Sequence, residues 1–475
     1  MTFSGSDLCA KSALEVVDLL RSKQVSPEEL IAASENRTAQ VDEPVNAMVT
    51  QCYDRARERV AGLGELDDKA PGWLAGLPVG IKDLSAVSGV RMTKGTLGLK
   101  DHVPSINDPI VDILENRGAL VVGKTNTPEL GAGANTFNAV FGSTRNPWDT
   151  RKSAGGSSGG AAATLATGEV WLSHGSDLAG SLRTPGAYCG VVGMRPSPGR
   201  ALGGSALIGF ANEGLQGPMA RSVADCALFL DAMCGYDDRA PLSLLAPDQP
   251  FQQAIQRASP KVKIAYAPTL DGFAEVEPEI EEIMRSALTQ MQGQGAQIDE
   301  ACPSLKGLND TYVTLRGLTW ATLAGRAPQK LQRHYKKTLA DNIQVGRNLT
   351  VDQVMDANLN RMALYDRMRL FLKNHDALAC AVVGIEPTLV EQEYPTMING
   401  QEMEDYIDWL KPSFLATTAG LPAISVPCGF TKSGMPVGIQ LIGPPRGDAK
   451  VLSVARALEQ VLDLGCGPID PIVRH

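Results

Sequence analysis

Apolar positions along the chain recur with two different periods. Leu14, Val17 and Leu20 repeat at helical spacing. A second helix opens at Ser26-Pro27-Glu28-Glu29, where Ser26 is a cap, Pro27 suits the first turn and Glu29 closes a capping box. At Leu77-Pro78-Val79-Gly80-Ile81-Lys82-Asp83 the pattern becomes a short apolar run ending in charge, and Ala119-Leu120-Val121-Val122-Gly123-Lys124 repeats it. Both read as buried strands. A further strand, Val262 to Tyr266, precedes an amphipathic helix carrying Ile280, Ile283, Met284 and Leu288. Residues 308–375 read as mostly helical and rich in aromatics. Strand-like runs return at Ala379–Ile385, Ala423–Val426 and Val437–Ile442, and a helix through Val451, Ala455 and Leu458 follows. Between Arg145 and Lys152, Pro147 and the polar run predict no strand. Strands alternating with helices, without an internal repeat, place the chain in the α/β class. A length of 475 residues allows about three domains as a prior. The absence of a break in the pattern favours one domain instead.

Charge and composition exclude several function classes. The net charge is −9, whereas a nucleic-acid binder driven by electrostatics is normally basic. The cluster Arg333-His334-Tyr335-Lys336-Lys337 reads as a solvated helix face. The longest apolar run, Ala377 to Ile385, falls far short of the ~18 residues of a membrane span. Asp7, Lys11, Glu15 and Asp18 interrupt any secretory h-region. Nine scattered cysteines without a CxxC pair predict reduced thiols, a cytoplasmic location and no zinc site.

Glycine is unevenly spread. Of 48 glycines, 13 lie between Gly155 and Gly204, in a stretch from Ser153 with only five charged residues. Ala161 to Ala166 and Val191-Val192-Gly193-Met194 interrupt it, so it reads as buried core with tight turns, not a linker. Three motifs there and upstream carry chemistry. Gly155-Gly156-Ser157-Ser158-Gly159-Gly160 flanks two serines with residues that let the backbone turn sharply. A phosphate loop is excluded, because Ala161 and Ala162 follow Gly160 in place of Lys and Ser or Thr. A nucleophile elbow fits the spacing but lacks the preceding strand, and its histidine would have to be His334, His375 or His475. Gly175 to Pro185 holds Ser181 after several small residues whose consecutive N–H groups could converge on an anion. There Asp177 and Arg183 flank the serine and are placed to form an ion pair that stiffens the turn. The third motif is Lys82, a strand-end charge that becomes a neutral base if buried, with Asp83 opposing the shift if it points the same way.

Together these motifs resemble the amidase signature family over roughly residues 25 to 460. The strongest block runs from Asn146 through the double-serine loop to Arg200, and Gly420 to Ala423 and Gly434 to Gln440 look like the family's late strands. The resemblance implies one large α/β domain whose mixed central sheet is covered by helices on both faces, with a catalytic core segment over 75–205 and a variable, mostly helical pocket region over 300–410. It implies a triad of nucleophile Ser181, bridging Ser157 behind a cis peptide bond, and base Lys82. The backbone N–H groups of Leu178, Ala179, Gly180 and Ser181 would form the oxyanion hole. Ser158, Asp177 and Arg183 would support them, and Gly131, Ala132 and Gly133 would line the substrate pocket. No cofactor or metal is implied.

Two features depart from the family pattern. Ala179-Gly180 stands where Gly-Gly is common, and Val382-Val383-Gly384 lacks a frequent proline. Tyr312, Trp320, Tyr335, Tyr406 and Trp409 either wall an apolar pocket or belong to the core. The expected reaction is hydrolysis of a small amide, anilide, carbamate or ester through a serine acyl-enzyme. One alternative is the glutaminase component of a heteromeric, tRNA-dependent glutamyl amidotransferase. The other is an inactive member serving as a binding protein. The resemblance is compatible with a homodimer.

Overall fold

The computed structural model describes residues 3–203, 207–465 and 467–474; Gly204, Cys466 and His475 lie outside them. Its centre is an 11-stranded mixed sheet. In chain order the strands are β1 (Met48–Gln51), β2 (Pro78–Lys82), β3 (Leu120–Thr125), β4 (Leu172–Asp177), β5 (Val192–Arg195), β6 (Leu215–Ala220), β7 (Lys263–Tyr266), β8 (Gln297–Glu300), β9 (Ala377–Ala381), β10 (Ala423–Phe430) and β11 (Pro436–Ile442). Across the sheet they run β1-β3-β2-β4-β6-β5-β10-β11-β9-β7-β8. β2 lies parallel between β3 and β4. β5 pairs antiparallel with β10 and so joins the two halves of the chain.

The strand pleat explains why both faces are covered. Val121 packs into one core with Ile110, Val111 and Leu114 of the helix Pro109–Asn116. Its neighbours Leu120 and Val122 turn to the other face, against Ala161, Ala162 and Leu165 of the helix Gly159–Thr167. The helix Asp448–Leu462 shares the first core with Ile439 and Leu441. Helices Leu308–Leu323, Lys337–Arg347 and Val351–Phe371 fill most of the region read as helical. The capping box at Ser26 and Glu29 is formed in both directions, with Pro27 in the first turn. The apolar run from Ala377 is strand only as far as Ala381.

One sequence expectation is overturned. Arg145–Asn146 and Asp149–Ser153 form a short antiparallel ribbon just before the double-serine loop. Pro147 does not obstruct it, because it lies in the turn between the two strands. Asn146 Oδ1 accepts the Trp148 N–H at 3.0 Å and closes that turn.

Gly160 packs the helix Gly159–Thr167 closely against the backbone that flanks β1 and β3. A Cβ there would stand 2.3 Å from the Asn126 nitrogen and 2.7 Å from the Ala47 oxygen, both backbone. Gly160→Ala should therefore destabilise the fold by about 1–3 kcal/mol, as overpacking typically does. Thermal unfolding of the variant should show a lowered midpoint, and an unchanged midpoint would refute this packing argument.

Candidate active site

Lys82 ends β2 beside the C-terminal end of β4. Its side chain is fully buried, and Nζ lies 2.7 Å from Ser157 Oγ, 2.8 Å from Ser158 Oγ and 3.1 Å from Ser176 Oγ. Burial drives its pKa well below the ordinary lysine value, and the attraction of Asp177 only partly opposes this. Asp83 takes no part. Successive strand residues face opposite ways, so Asp83 pairs with buried Lys124 at 3.2 Å and accepts the Thr93 hydroxyl at 2.6 Å.

In its neutral form this amine would have two N–H donors and one lone pair among three hydroxyls. Ser158 Oγ accepts the Ser176 N–H at 3.3 Å and lies 3.3 Å from the Ser176 carbonyl, the natural acceptor for its own hydrogen. Ser158 is thereby an acceptor towards Lys82. The lysine lone pair is left for a hydroxyl of Ser157 or Ser176.

The loop carrying Ser157 is held from several sides. The Gly156–Ser157 peptide bond is cis. Gly155 N–H donates to Ser153 Oγ at 3.0 Å, and Ser153 in turn donates to Asn135 Oδ1 at 2.7 Å. Ser158 N–H donates to the Ser181 carbonyl at 3.2 Å and ties the two serine loops together. Ser181 is 6% exposed and just precedes the helix Arg183–Cys189.

Asp177 organises that second loop. Its Oδ2 accepts the Leu182 N–H at 3.2 Å and Arg183 Nε at 3.0 Å, and its Oδ1 accepts Arg183 Nη2 at 2.9 Å. Arg195 Nη1 approaches Oδ1 at 3.4 Å, and the other arm of Arg183 donates to Gln440 Oε1. Burial alone would raise the Asp177 pKa. The two guanidiniums and the Leu182 N–H outweigh it and hold the carboxyl well below the usual range. Oδ1 also accepts the Gly180 N–H at 3.1 Å. Of the four N–H groups expected to form an oxyanion hole, this one is thus engaged by a fixed carboxylate. Among the described residues, the N–H groups of Leu178, Ala179 and Ser181 make no such bond within the protein. Gly180 has φ +83°, and a Cβ there would stand 3.0 Å from Ser413 Cβ, so a side chain at this position would be both strained and crowded.

The three expected pocket residues diverge. A Cβ on Gly131 would lie 3.6 Å from Ser157 Oγ, so this residue borders the serines. Ala132 is buried with Trp320, Leu339 and Ile343, and Gly133 faces Lys336 Nζ. Ala179 is buried in a large hydrophobic cluster that also contains Tyr312, Trp409 and Phe414. Tyr312, Trp320, Tyr406 and Trp409 are core residues, and Tyr335 is half-buried. At Gly384 a Cβ would lie 1.9 Å from the Glu275 carbonyl, which accounts for glycine there.

Sequence reasoning missed Ser176, Lys124 and Gln440. Ser176 had a signal: it precedes Asp177 on a strand, so it must face the opposite side, where β2 places Lys82. Lys124 and Gln440 had none, because their partners are 41 and 257 residues away. The elbow reading fails on chemistry despite the ribbon. Among the described residues no histidine bonds either serine, and buried His174 is pushed down to about 3 and bonds Gln216.

The family model described as Amidase matches residues 29–452. The chain belongs to the amidase family. This amidase is 34% identical to an acylamidase of Rhodococcus erythropolis over 95% of both chains. It is 32% identical to a glutamyl-tRNA(Gln) amidotransferase subunit of Moorella thermoacetica, covering 94% of this chain and 96% of that one. Its fold superposes on a solved bacterial aryl acylamidase of the amidase signature family with a TM-score of 0.88, at 30% identity, covering 96% of this chain and 97% of the other. The amidase is thus a hydrolase of carbon–nitrogen amide bonds. No helix among its described residues is long and apolar enough to cross a membrane.

The Asp177 clamp yields a stability prediction. Asp177→Asn leaves Arg183 and Arg195 buried without their anion and should cost about 3–5 kcal/mol at neutral pH. Because the folded carboxyl pKa is depressed, its stabilisation is full above the unfolded value of about 4 and is lost as pH falls below it. Urea unfolding of both proteins at neutral and acid pH should show the gap narrowing on acidification. A gap that holds or widens would contradict the clamp.

Proposed function

We propose that this amidase hydrolyses small acyl amides and anilides through an acyl-enzyme on Ser181, with Lys82 as the base and Ser157 as the bridge. The observation that carries this reading is the Lys82 Nζ–Ser157 Oγ contact of 2.7 Å, around an amine whose pKa burial drives well below the ordinary lysine value. Neutral Lys82 takes the Ser157 proton while Ser157 takes that of Ser181. Ser181 Oγ attacks the carbonyl carbon, and the N–H groups of Leu178, Ala179 and Ser181 receive the developing oxyanion. Ser157 returns the proton to the departing amine. Water then cleaves the ester by the same relay, releasing the acid and regenerating Ser181. Ser158 and Ser176 fix the lysine head, and Asp177 with Arg183 fixes the loop.

The preference for acyl amides and anilides rests on the acylamidase relatives and on the hydrophobic cluster, with Tyr312, Trp409 and Phe414 among its members, to which Ala179 belongs. A second reading, the glutaminase component of an amidotransferase, is favoured by the 32% identity to the Moorella protein. A panel of aliphatic amides, anilides, carbamates and glutamine on the isolated chain separates the two. Anilide turnover by the lone chain is expected. Activity on glutamine alone, and only with partner chains present, would support the second reading.

Lys82→Ala should lower kcat by about 10²–10⁴, the usual contribution of a positioned general base. Since Lys82 acts in its neutral form, kcat/KM of the wild type should rise with pH through the depressed lysine pKa and then level. Near-wild-type turnover by Lys82→Ala, or a rate that climbs as pH falls, would remove the lysine from the base role.

A further inference from the structure

Tyr312, Arg316 and Trp320 share one face of the helix Leu308–Leu323, each one turn from the next. That face reaches both halves of the site. The Tyr312 hydroxyl lies 3.5 Å from the Leu178 carbonyl, in the loop that leads to Ser181. Trp320 is buried in one cluster with Ala132, next to the Gly131 that borders Ser157. Arg316 stands between the two and is 3% exposed.

This guanidinium has no counter-ion. Among the described residues it forms no ion pair. Glu393, whose charge reaches Tyr406, is bonded instead by Lys336 at 2.8 Å and by Thr338 at 2.6 Å. A guanidinium carries five N–H donors. Arg316 finds three acceptors for them, Asn342 Oδ1 at 3.1 Å, the Tyr312 hydroxyl at 3.5 Å and the Tyr406 hydroxyl at 2.5 Å, so two N–H groups are left over. The Tyr406 hydroxyl accepts from Arg316 and, among the described residues, has no acceptor for its own hydrogen. Trp320 Nε1 is buried with no partner at all. The guanidinium carbon lies 5.7 Å from the centre of the Trp320 ring and 5.6 Å from that of Tyr406. This buried cluster therefore holds more donors than acceptors. Buried donors are costly unless they are paired, and around a cation the group that pairs them best is an anion with two oxygens.

We propose that Arg316, Trp320 and Tyr406 select substrates that carry a carboxylate away from the scissile amide. This selectivity rests on the hydrolytic reading above and gives it a substrate class. One planar guanidinium with two free N–H groups matches a carboxylate, which accepts both in parallel. A phosphate would bring a second charge, and Lys336, the cation that could meet it, is committed to Glu393. Phe414 stacks on Tyr312 with ring centres 3.5 Å apart, so the surroundings are of low dielectric and strengthen the attraction.

Two matched pairs of compounds test the selectivity, each setting a carboxylate against a neutral acetyl group of the same shape. On the acyl side, the mono-para-nitroanilide of succinic acid is set against the para-nitroanilide of levulinic acid. On the side of the leaving amine, para-acetamidobenzoate is set against para-acetamidoacetophenone. In the wild type, kcat/KM for the carboxylate should exceed that for its counterpart about 10–100-fold in one pair, as a charged hydrogen-bond partner gives, and that pair shows which end of the substrate Arg316 holds. Arg316→Gln should bring the ratio close to one, and Trp320→Phe should lower it at least about threefold. The ratio is the readout because a general loss of stability slows both members alike. Where Arg316→Gln does not fold, Trp320→Phe decides. A wild-type ratio near one in both pairs with the neutral compounds turned over, or a ratio that the folded variants leave unchanged, would overturn the carboxylate site and leave the hydrolytic reading standing. No turnover of any of the four compounds would sink the hydrolytic reading and the carboxylate site with it.

Discussion

The site depends on one amine that has been taken out of water without being given a counter-ion. Lys82 has lost its hydration to the sheet, and its three nearest polar neighbours are neutral hydroxyls. Desolvation is unfavourable for the ammonium and much less so for the free amine, so it drives the lysine pKa well below its ordinary value. A carboxylate in contact would reverse that outcome. The fold keeps both neighbouring carboxylates away. The strand pleat turns Asp83 to Lys124, and Asp177 is occupied by two guanidiniums.

The same arrangement gives the two carboxylates separate jobs. Asp83 with Lys124 fixes the segment after β2 through Thr93 and the Ser85 carbonyl. Asp177 converts the charge of Arg183 and Arg195 into the shape of the Ser181 loop by accepting backbone N–H groups as well. A buried ion pair is weak evidence for stability in itself. Here its value is conformational, because it determines which N–H groups remain turned outward. Engagement of the Gly180 N–H is a direct result.

Much of this was legible in the sequence, for reasons that can be stated residue by residue. Periodicity located the helices and the strands around Val79, Val121 and Ile439, because each buries one stripe or one pleated face. The glycines around Ser157 and Ser181 showed where backbone must turn or approach closely. The ribbon at Asp149–Ser153 was hidden because its strands are too short to carry a period and its proline sits in the turn. Lys124 and Gln440 were hidden because a buried polar residue announces itself only beside its partner, and sheet order brings the partners together. The helix Val351–Phe371 was legible as part of a mostly helical region.

The bond from Arg183 to Gln440 spans 257 residues. It therefore sets a condition on synthesis. A chain still on the ribosome can complete Lys82, both serine loops and Asp177 long before β11 is made. Until β11 arrives, one arm of the guanidinium that fixes the Ser181 loop has no acceptor, and β5 has no β10 to pair with. The side-chain bonds that hold the Ser181 loop are thus complete only when nearly the whole polypeptide has been made, and a product truncated before β11 carries the serine motifs without the Gln440 acceptor.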